Sequence, residues 1–202
     1  LQMAVDRMTT IVPVENIIMI TNEKYANVIA QQLPELKPSQ FLLEPARRNT
    51  APCIAYANFR IQQMNPNAKI VVAPSDHLIL NDQLFINTIK NGFEFVSNNN
   101  NLLTLGIQPT RPDTGYGYIQ ADLSTSSLRN KEIFRVDSFR EKPNLETALG
   151  YIKKNNYFWN AGIFIWNVNT IVNAFRIYQP SMAKIFESLI PIYGTDKEQE
   201  EI

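Results

Sequence analysis

Lys69-Ile70-Val71-Val72-Ala73-Pro74-Ser75-Asp76-His77 is the stretch that decides the fold. After a lysine come four uninterrupted aliphatic residues, three of them β-branched, and then a proline. A continuous run of this kind reads as a strand buried on both faces, as in sheets covered by helices. Pro74 ends it, and a serine, a carboxylate and the only histidine follow at once. Working toward the N-terminus, residues 50–64 have helical spacing, with Ile54, Ala57, Phe59 and Ile61 suited to packing. Residues 40–43 form a short strand, 23–33 a helix that stops at Pro34, and 16–20 another β-branched strand. On the other side, residues 84–96 place Phe85, Ile89, Phe93 and Val96 on or near one helical stripe, and 102–107 return to strand. Strand–helix alternation implies parallel strands joined by right-handed crossovers.

Beyond Gly106 the rhythm changes. Residues 108–117 are a loop rich in Pro, Thr and Gly, and 116–121 and 132–139 read as two strands joined by a polar turn. A helix over 145–153, an apolar strand over 161–166, and helices over 170–175 and 182–189 complete the chain. The expected architecture is α/β: one mainly parallel sheet with a small antiparallel excursion, in a single domain over residues 1–202.

Composition narrows the function. Nineteen basic residues balance nineteen acidic ones across 202 residues. That neutrality argues against nucleic acid or an anionic membrane, which both call for clustered Lys and Arg. One cysteine, Cys53, rules out an intrachain disulfide and a multi-cysteine zinc site, so any metal is a hard ion held by oxygen. No apolar run approaches the ~20 residues that span a bilayer, and a cytoplasmic location is expected.

In open α/β sheets ligands bind at the carboxyl ends of strands, which leaves five polar clusters. Asp76, in Pro74-Ser75-Asp76-His77, suits a Mg²⁺ ion bridging phosphates, or equally a cap for the next segment. Glu44-Pro45-Ala46-Arg47-Arg48-Asn49-Thr50-Ala51-Pro52 joins a strand end to a helix start, with Asn49 or Thr50 as N-cap. Either it is a well-capped helix with solvated arginines, or its free N–H groups and Arg47 or Arg48 receive an anion. Glu44 can accept two parallel N–H bonds, such as those on the edge of guanine. Thr114-Gly115-Tyr116-Gly117-Tyr118 allows close backbone approach to a ligand, or is a plain turn before an edge strand. Glu141-Lys142-Pro143 suits a sugar hydroxyl at Glu141 and a phosphate at Lys142, or is a surface pair. Asn160, in Trp159-Asn160-Ala161-Gly162, is a ligand contact or a turn former ahead of the last strand.

Taken in order, these strings, with Gly106-Ile107, Pro109-Thr110 and Phe139, resemble the bacterial mannose-1-phosphate guanylyltransferases of the nucleotide-diphospho-sugar transferase superfamily. The resemblance runs from Leu1 to about Trp166. It implies a Rossmann-like fold and a Mg²⁺-dependent reaction of GTP with mannose 1-phosphate that gives GDP-mannose and pyrophosphate. Residue by residue, it implies that Asp76 binds the metal and that Glu44, Arg48, Asn49, Thr50, Pro74 and Ser75 serve the nucleotide. Gly117, Glu141 and Asn160 would hold the mannose hydroxyls, and Lys142 would reach the sugar phosphate. A homodimer is among the expected partners.

The departure from the family pattern is at the start. Members open with a glycine-rich signature, G-x-G-x-R-x-x-P, whereas the first glycine here is Gly92. The expectation is therefore a fold truncated at both ends and a chain inactive on its own. Rival expectations are a sister enzyme using another sugar 1-phosphate or nucleotide, and a non-catalytic regulator that binds GDP-mannose.

Overall fold

The computed structural model describes residues 1–45, 49–125 and 132–202. In chain order the elements are α1 (Gln2–Thr9), β1 (Met19–Asn22), α2 (Glu23–Gln32), β2 (Phe41–Glu44), α3 (Thr50–Met64), β3 (Lys69–Val72) and α4 (Asp82–Asn98). There follow β4 (Leu103–Ile107), β5 (Tyr118–Asp122), β6 (Arg135–Arg140), α5 (Leu145–Lys154), β7 (Tyr157–Asn167), α6 (Val168–Tyr178), α7 (Pro180–Ser188) and α8 (Glu198–Glu201). Two compact units emerge: Leu1–Leu103 with Ile165–Ile202, and Thr104–Phe164. Among the described residues, no helix is long and apolar enough to cross a membrane.

The helices fall where the spacing predicts them, and α1 is an addition that the sequence reading lacked. The expectation of one mainly parallel sheet is wrong. The described residues form two sheets, a parallel pair β1-β2 and a five-stranded sheet of order β3-β7-β5-β6 with β4 beside β7. In the larger sheet β5 runs antiparallel to both β6 and β7. The physical reason lies in β7. It begins at Tyr157, four residues ahead of the expected strand, and alternates buried and half-buried residues from there to Ile165. That early segment pairs with β5, Tyr118 opposite Trp159. What reads in the sequence as a small excursion is therefore a principal part of the sheet.

In the first unit, β1 and β2 are packed on both faces. Met19 and Phe41 meet Val5, Leu33 and Leu36 on one side. Ile18, Ile20 and Leu42 meet Tyr56 and Ala57 of α3 on the other. Phe59 of α3 stacks on Phe186 of α7 at 6.0 Å, and the buried Asn58 Oδ1 accepts from the Trp166 indole N–H at 2.9 Å. Glu198 is 7% exposed. A carboxylate so placed needs partners, and it has three. Tyr56 Oη–H donates to it at 2.8 Å, Gly194 N–H at 2.7 Å, and Arg60 forms an ion pair at 2.8 Å.

The second unit has its own small core of Tyr118, Ala148, Tyr157 and Trp159, with Tyr151 packed against it. Tyr151 stacks on Tyr157 with ring centroids 4.0 Å apart. This core holds α5 against β5 and β7, and so sets where the strand ends carry their polar residues.

Candidate functional site

In the Thr104–Phe164 unit, three residues from separate parts of the sequence converge. Gly117 lies just before β5, Glu141 just after β6, and Asn160 within β7. The Asn160 N–H donates to the Gly117 carbonyl at 2.8 Å. A Cβ at Gly117 would stand 2.8 Å from Glu141 Oε2, so only glycine leaves that carboxylate its place. Asn160 lies inside the strand, not before it as the sequence suggested. Its Oδ1 accepts from Thr104 Oγ1–H at 3.2 Å and from Gly162 N–H at 3.0 Å. Gly162 has a φ of +64°, a conformation that glycine adopts without a Cβ penalty. The side-chain amide is thereby oriented, its oxygen engaged.

Lys142 Nζ lies 3.6 Å from Glu141 Oε1, with the two side chains 64% and 62% exposed. An ion pair so open to water contributes little to stability, and both heads are accessible to a ligand. The Lys142 backbone has a φ of +40°, uncommon for a residue with a Cβ. Above Trp159 lie the Tyr116 ring at 5.2 Å and the Arg111 guanidinium at 5.3 Å. Asp113 pairs with Arg111 at 2.7 Å and accepts from Gly115 N–H at 2.8 Å. That backbone hydrogen bond first, and then Arg111, hold its carboxyl below the usual range.

The remaining candidates belong to the other unit. Glu44 ends β2, half-buried, and faces α3. Cys53 lies near it in α3. Burial first, and then Glu44, push the thiol pKa from 9.0 to about 12. Arg48 lies outside the described residues. Asn49 is the N-cap of α3 with a φ of +66°, and its side chain makes no cap hydrogen bond. It and Thr50 are exposed, so the first-turn N–H groups lack that partner. Pro74 is half-buried, and Ser75 and Asp76 are exposed in the turn after β3. Among the described residues, no group of three or more His, Cys, Asp and Glu side chains gathers to hold a metal ion.

Thr104 and Cys53 are contacts that sequence reasoning missed. A threonine in a strand and a lone cysteine near a helix start carry no pattern; only the fold brings them to Asn160 and Glu44. Arg111 and Asp113 stood within the 108–117 loop, where their alternation with proline concealed the pairing.

The chain is 37% identical to a mannose-1-phosphate guanylyltransferase of Escherichia coli over 177 residues, covering 86% of this chain and 38% of the relative. It is 38% identical to the xanthan biosynthesis protein XanB of Xanthomonas campestris pv. campestris over 168 residues, or 82% of this chain and 34% of XanB. The chain thus spans little more than a third of those relatives. The solved structure of mannose-1-phosphate geranyltransferase from Thermus thermophilus matches with a TM-score of 0.83 and 27% identity, over 98% of this chain and 56% of that one. Mannose-6-phosphate isomerase from Helicobacter pylori matches with a TM-score of 0.79 and 25% identity, over 94% and 70%. Residues 1–198 match the nucleotidyl transferase family, and the chain belongs to it.

Proposed function

We propose that this chain carries the nucleotide- and sugar-recognising part of an enzyme that makes GDP-mannose and pyrophosphate from GTP and mannose 1-phosphate. The observation that supports it most is the convergence of Gly117, Glu141 and Asn160. A carboxylate seated over a glycine, beside an oriented amide, is a site for adjacent sugar hydroxyls. Gly117, Glu141 and Asn160 hold the mannose ring in this reading, and Lys142 meets the sugar phosphate. Glu44, Arg48, Asn49, Thr50, Pro74 and Ser75 serve the nucleotide.

In the reaction a phosphate oxygen of mannose 1-phosphate attacks the α-phosphorus of GTP. A new P–O bond forms as the bond to the β-phosphate bridge breaks, and pyrophosphate departs with the electron pair. No protein nucleophile is needed, so the chain's task is positioning and charge neutralisation. Asp76 offers one exposed hard oxygen, which fits Mg²⁺, an ion held through one or two carboxylates together with substrate phosphates. Bound there, Mg²⁺ would neutralise phosphate charge. The same proposal includes a homodimer, favoured by the exposed Ile177 and Tyr178 of α6. It also includes a cytoplasmic location, which the single free thiol suits.

Calorimetric titration of the protein with GDP-mannose, GDP-glucose, ADP-mannose and UDP-glucose tests it. GDP-mannose should bind tightest, with both base and sugar contributing. Equal affinity across the panel would reject the assignment, and preference for another base or sugar would move it to a sister enzyme.

A further inference from the structure

β1 and β2 end side by side, with Ile20 opposite Leu42 and Asn22 opposite Glu44. Partners across a sheet lie about 4.8 Å apart. Ile18, Ile20 and Leu42 pack on α3, so the period of two carries Asn22 and Glu44 onto that same face, at the strands' carboxyl ends. Asn22 Oδ1 is buried there without a hydrogen-bond partner. The position offers it a use, because Asn22 is the N-cap of α2 and a capping asparagine accepts from the first-turn N–H groups. It makes no such bond. An acceptor kept from water, and leaving its helix uncapped, bears a desolvation cost that a ligand donor would relieve.

Glu44, read as the guanine contact, explains what that donor is. The guanine edge presents three hydrogens, one on N1 and two on the 2-amino group. A carboxylate takes two of them in parallel. The third points past it and is left unsatisfied unless a neighbour accepts. We propose that Asn22 is a second base-recognition residue, whose Oδ1 accepts the remaining hydrogen of a purine 2-amino group beside Glu44. This rests on the guanine reading of Glu44.

Inosine diphosphate keeps N1–H and lacks the 2-amino group, so it loses one bond to Glu44 and the bond to Asn22, whereas N2-methyl-GDP loses only the hydrogen that faces Asn22. The protein should bind GDP at least about thirtyfold more tightly than IDP, the factor carried by one ordinary hydrogen bond and one to a carboxylate. N2-methyl-GDP, which sets a methyl group against Asn22 and keeps both hydrogens for Glu44, should bind about tenfold more weakly than GDP. Asn22→Ser keeps a capping hydroxyl but loses reach. It should weaken GDP about tenfold and leave IDP unchanged, whereas Glu44→Gln should weaken both. Equal binding of GDP and N2-methyl-GDP by the unaltered protein would overturn the role of Asn22, and that comparison needs no variant. Equal loss of GDP and IDP in Asn22→Ser would overturn it too. A protein that binds ADP as tightly as GDP, indifferent to Glu44→Gln, would instead overturn the guanine reading, and Asn22's role with it.

Discussion

Gly117→Ala is the sharpest test of the sugar site, because the structure separates its effect on folding from its effect on binding. The added Cβ would lie 2.8 Å from Glu141 Oε2, and 3.2 and 3.4 Å from two Phe139 ring atoms. Real Cβ contacts do not fall below 3.0 Å and are ordinary from 3.4 Å, so the carboxylate must retreat by a few tenths of an ångström. It can do so cheaply: the Glu141 side chain is 62% exposed and ends in free rotors. Gly117 is also absent from the positive-φ glycines, so alanine meets no backbone strain there. Replacing glycine narrows the unfolded ensemble by about 0.4–1 kcal/mol, which offsets the ring contacts. Stability should therefore change by less than about 1 kcal/mol, a few degrees in Tm. Binding should not be spared. A hydrogen bond to a charged group is worth about 1.5–3 kcal/mol, so its loss should weaken GDP-mannose roughly ten- to hundredfold. GDP, which lacks the sugar, should bind as before. Thermal melting and titration with both ligands supply the measurements. Unchanged GDP-mannose affinity in a folded variant, or an equal loss for GDP, would refute the site.

Asp76→Asn should leave the fold intact, since the side chain is exposed, but abolish the gain in GTP affinity that Mg²⁺ confers; a gain that survives would remove Asp76 from the metal site. Cys53, with its pKa raised from 9.0 to about 12, holds its proton more tightly when folded, so its stabilising share is whole below pH 9 and fades as pH rises toward 12. At pH 8 iodoacetamide should label it about 10³-fold more slowly in the folded chain than in urea, and comparable rates would contradict its burial beside Glu44. Arg60→Met leaves the buried Glu198 without its cation and should cost about 3–5 kcal/mol by denaturant unfolding; a loss under about 1 kcal/mol would show that Tyr56 and Gly194 suffice. At Lys142, with its φ of +40°, glycine should be more stable than alanine by about 1 kcal/mol, both losing mannose 1-phosphate affinity. A more stable alanine variant would deny the strain.

The helices could be read from the chain because their signal is local. Thr50–Met64 and Leu145–Lys154 carry their apolar spacing and their caps within one stretch, and Asn144 caps α5 by accepting from Thr147 N–H at 2.9 Å. Sheet direction is not local. The run at 69–73 shows that a strand is buried and says nothing about which neighbour it meets. The sheet departs from the expectation at Tyr157–Trp159, whose aromatic residues supply the edge that β5 needs. Contacts across the fold were hidden for the same reason: Thr104 to Asn160 and Arg60 to Glu198 join residues 56 and 138 positions apart.

Backbone conformation adds what residue type alone could not. Among the described residues, the non-glycine positions with positive φ are Asn49, Lys142 and Asn155. Asn155 closes α5 in the left-handed conformation, an ordinary use of asparagine at a helix end. The other two are residues that the sequence had already marked by chemistry, one at the start of α3 and one beside Glu141. Asparagine adopts this region at little cost, but lysine does not, and Pro143 after it narrows the choice further. Nothing in the helix or sheet pairing requires Lys142 to turn there. Such strain persists where surrounding structure over-determines it, and it collects at ligand-binding positions. The turn fixes the direction in which the Cα–Cβ bond presents the side chain, while the exposed side chain beyond it keeps its rotamers. For a residue whose proposed work is to meet a phosphate, that presentation lowers the entropy lost on binding, and a lysine on a relaxed loop would lack it.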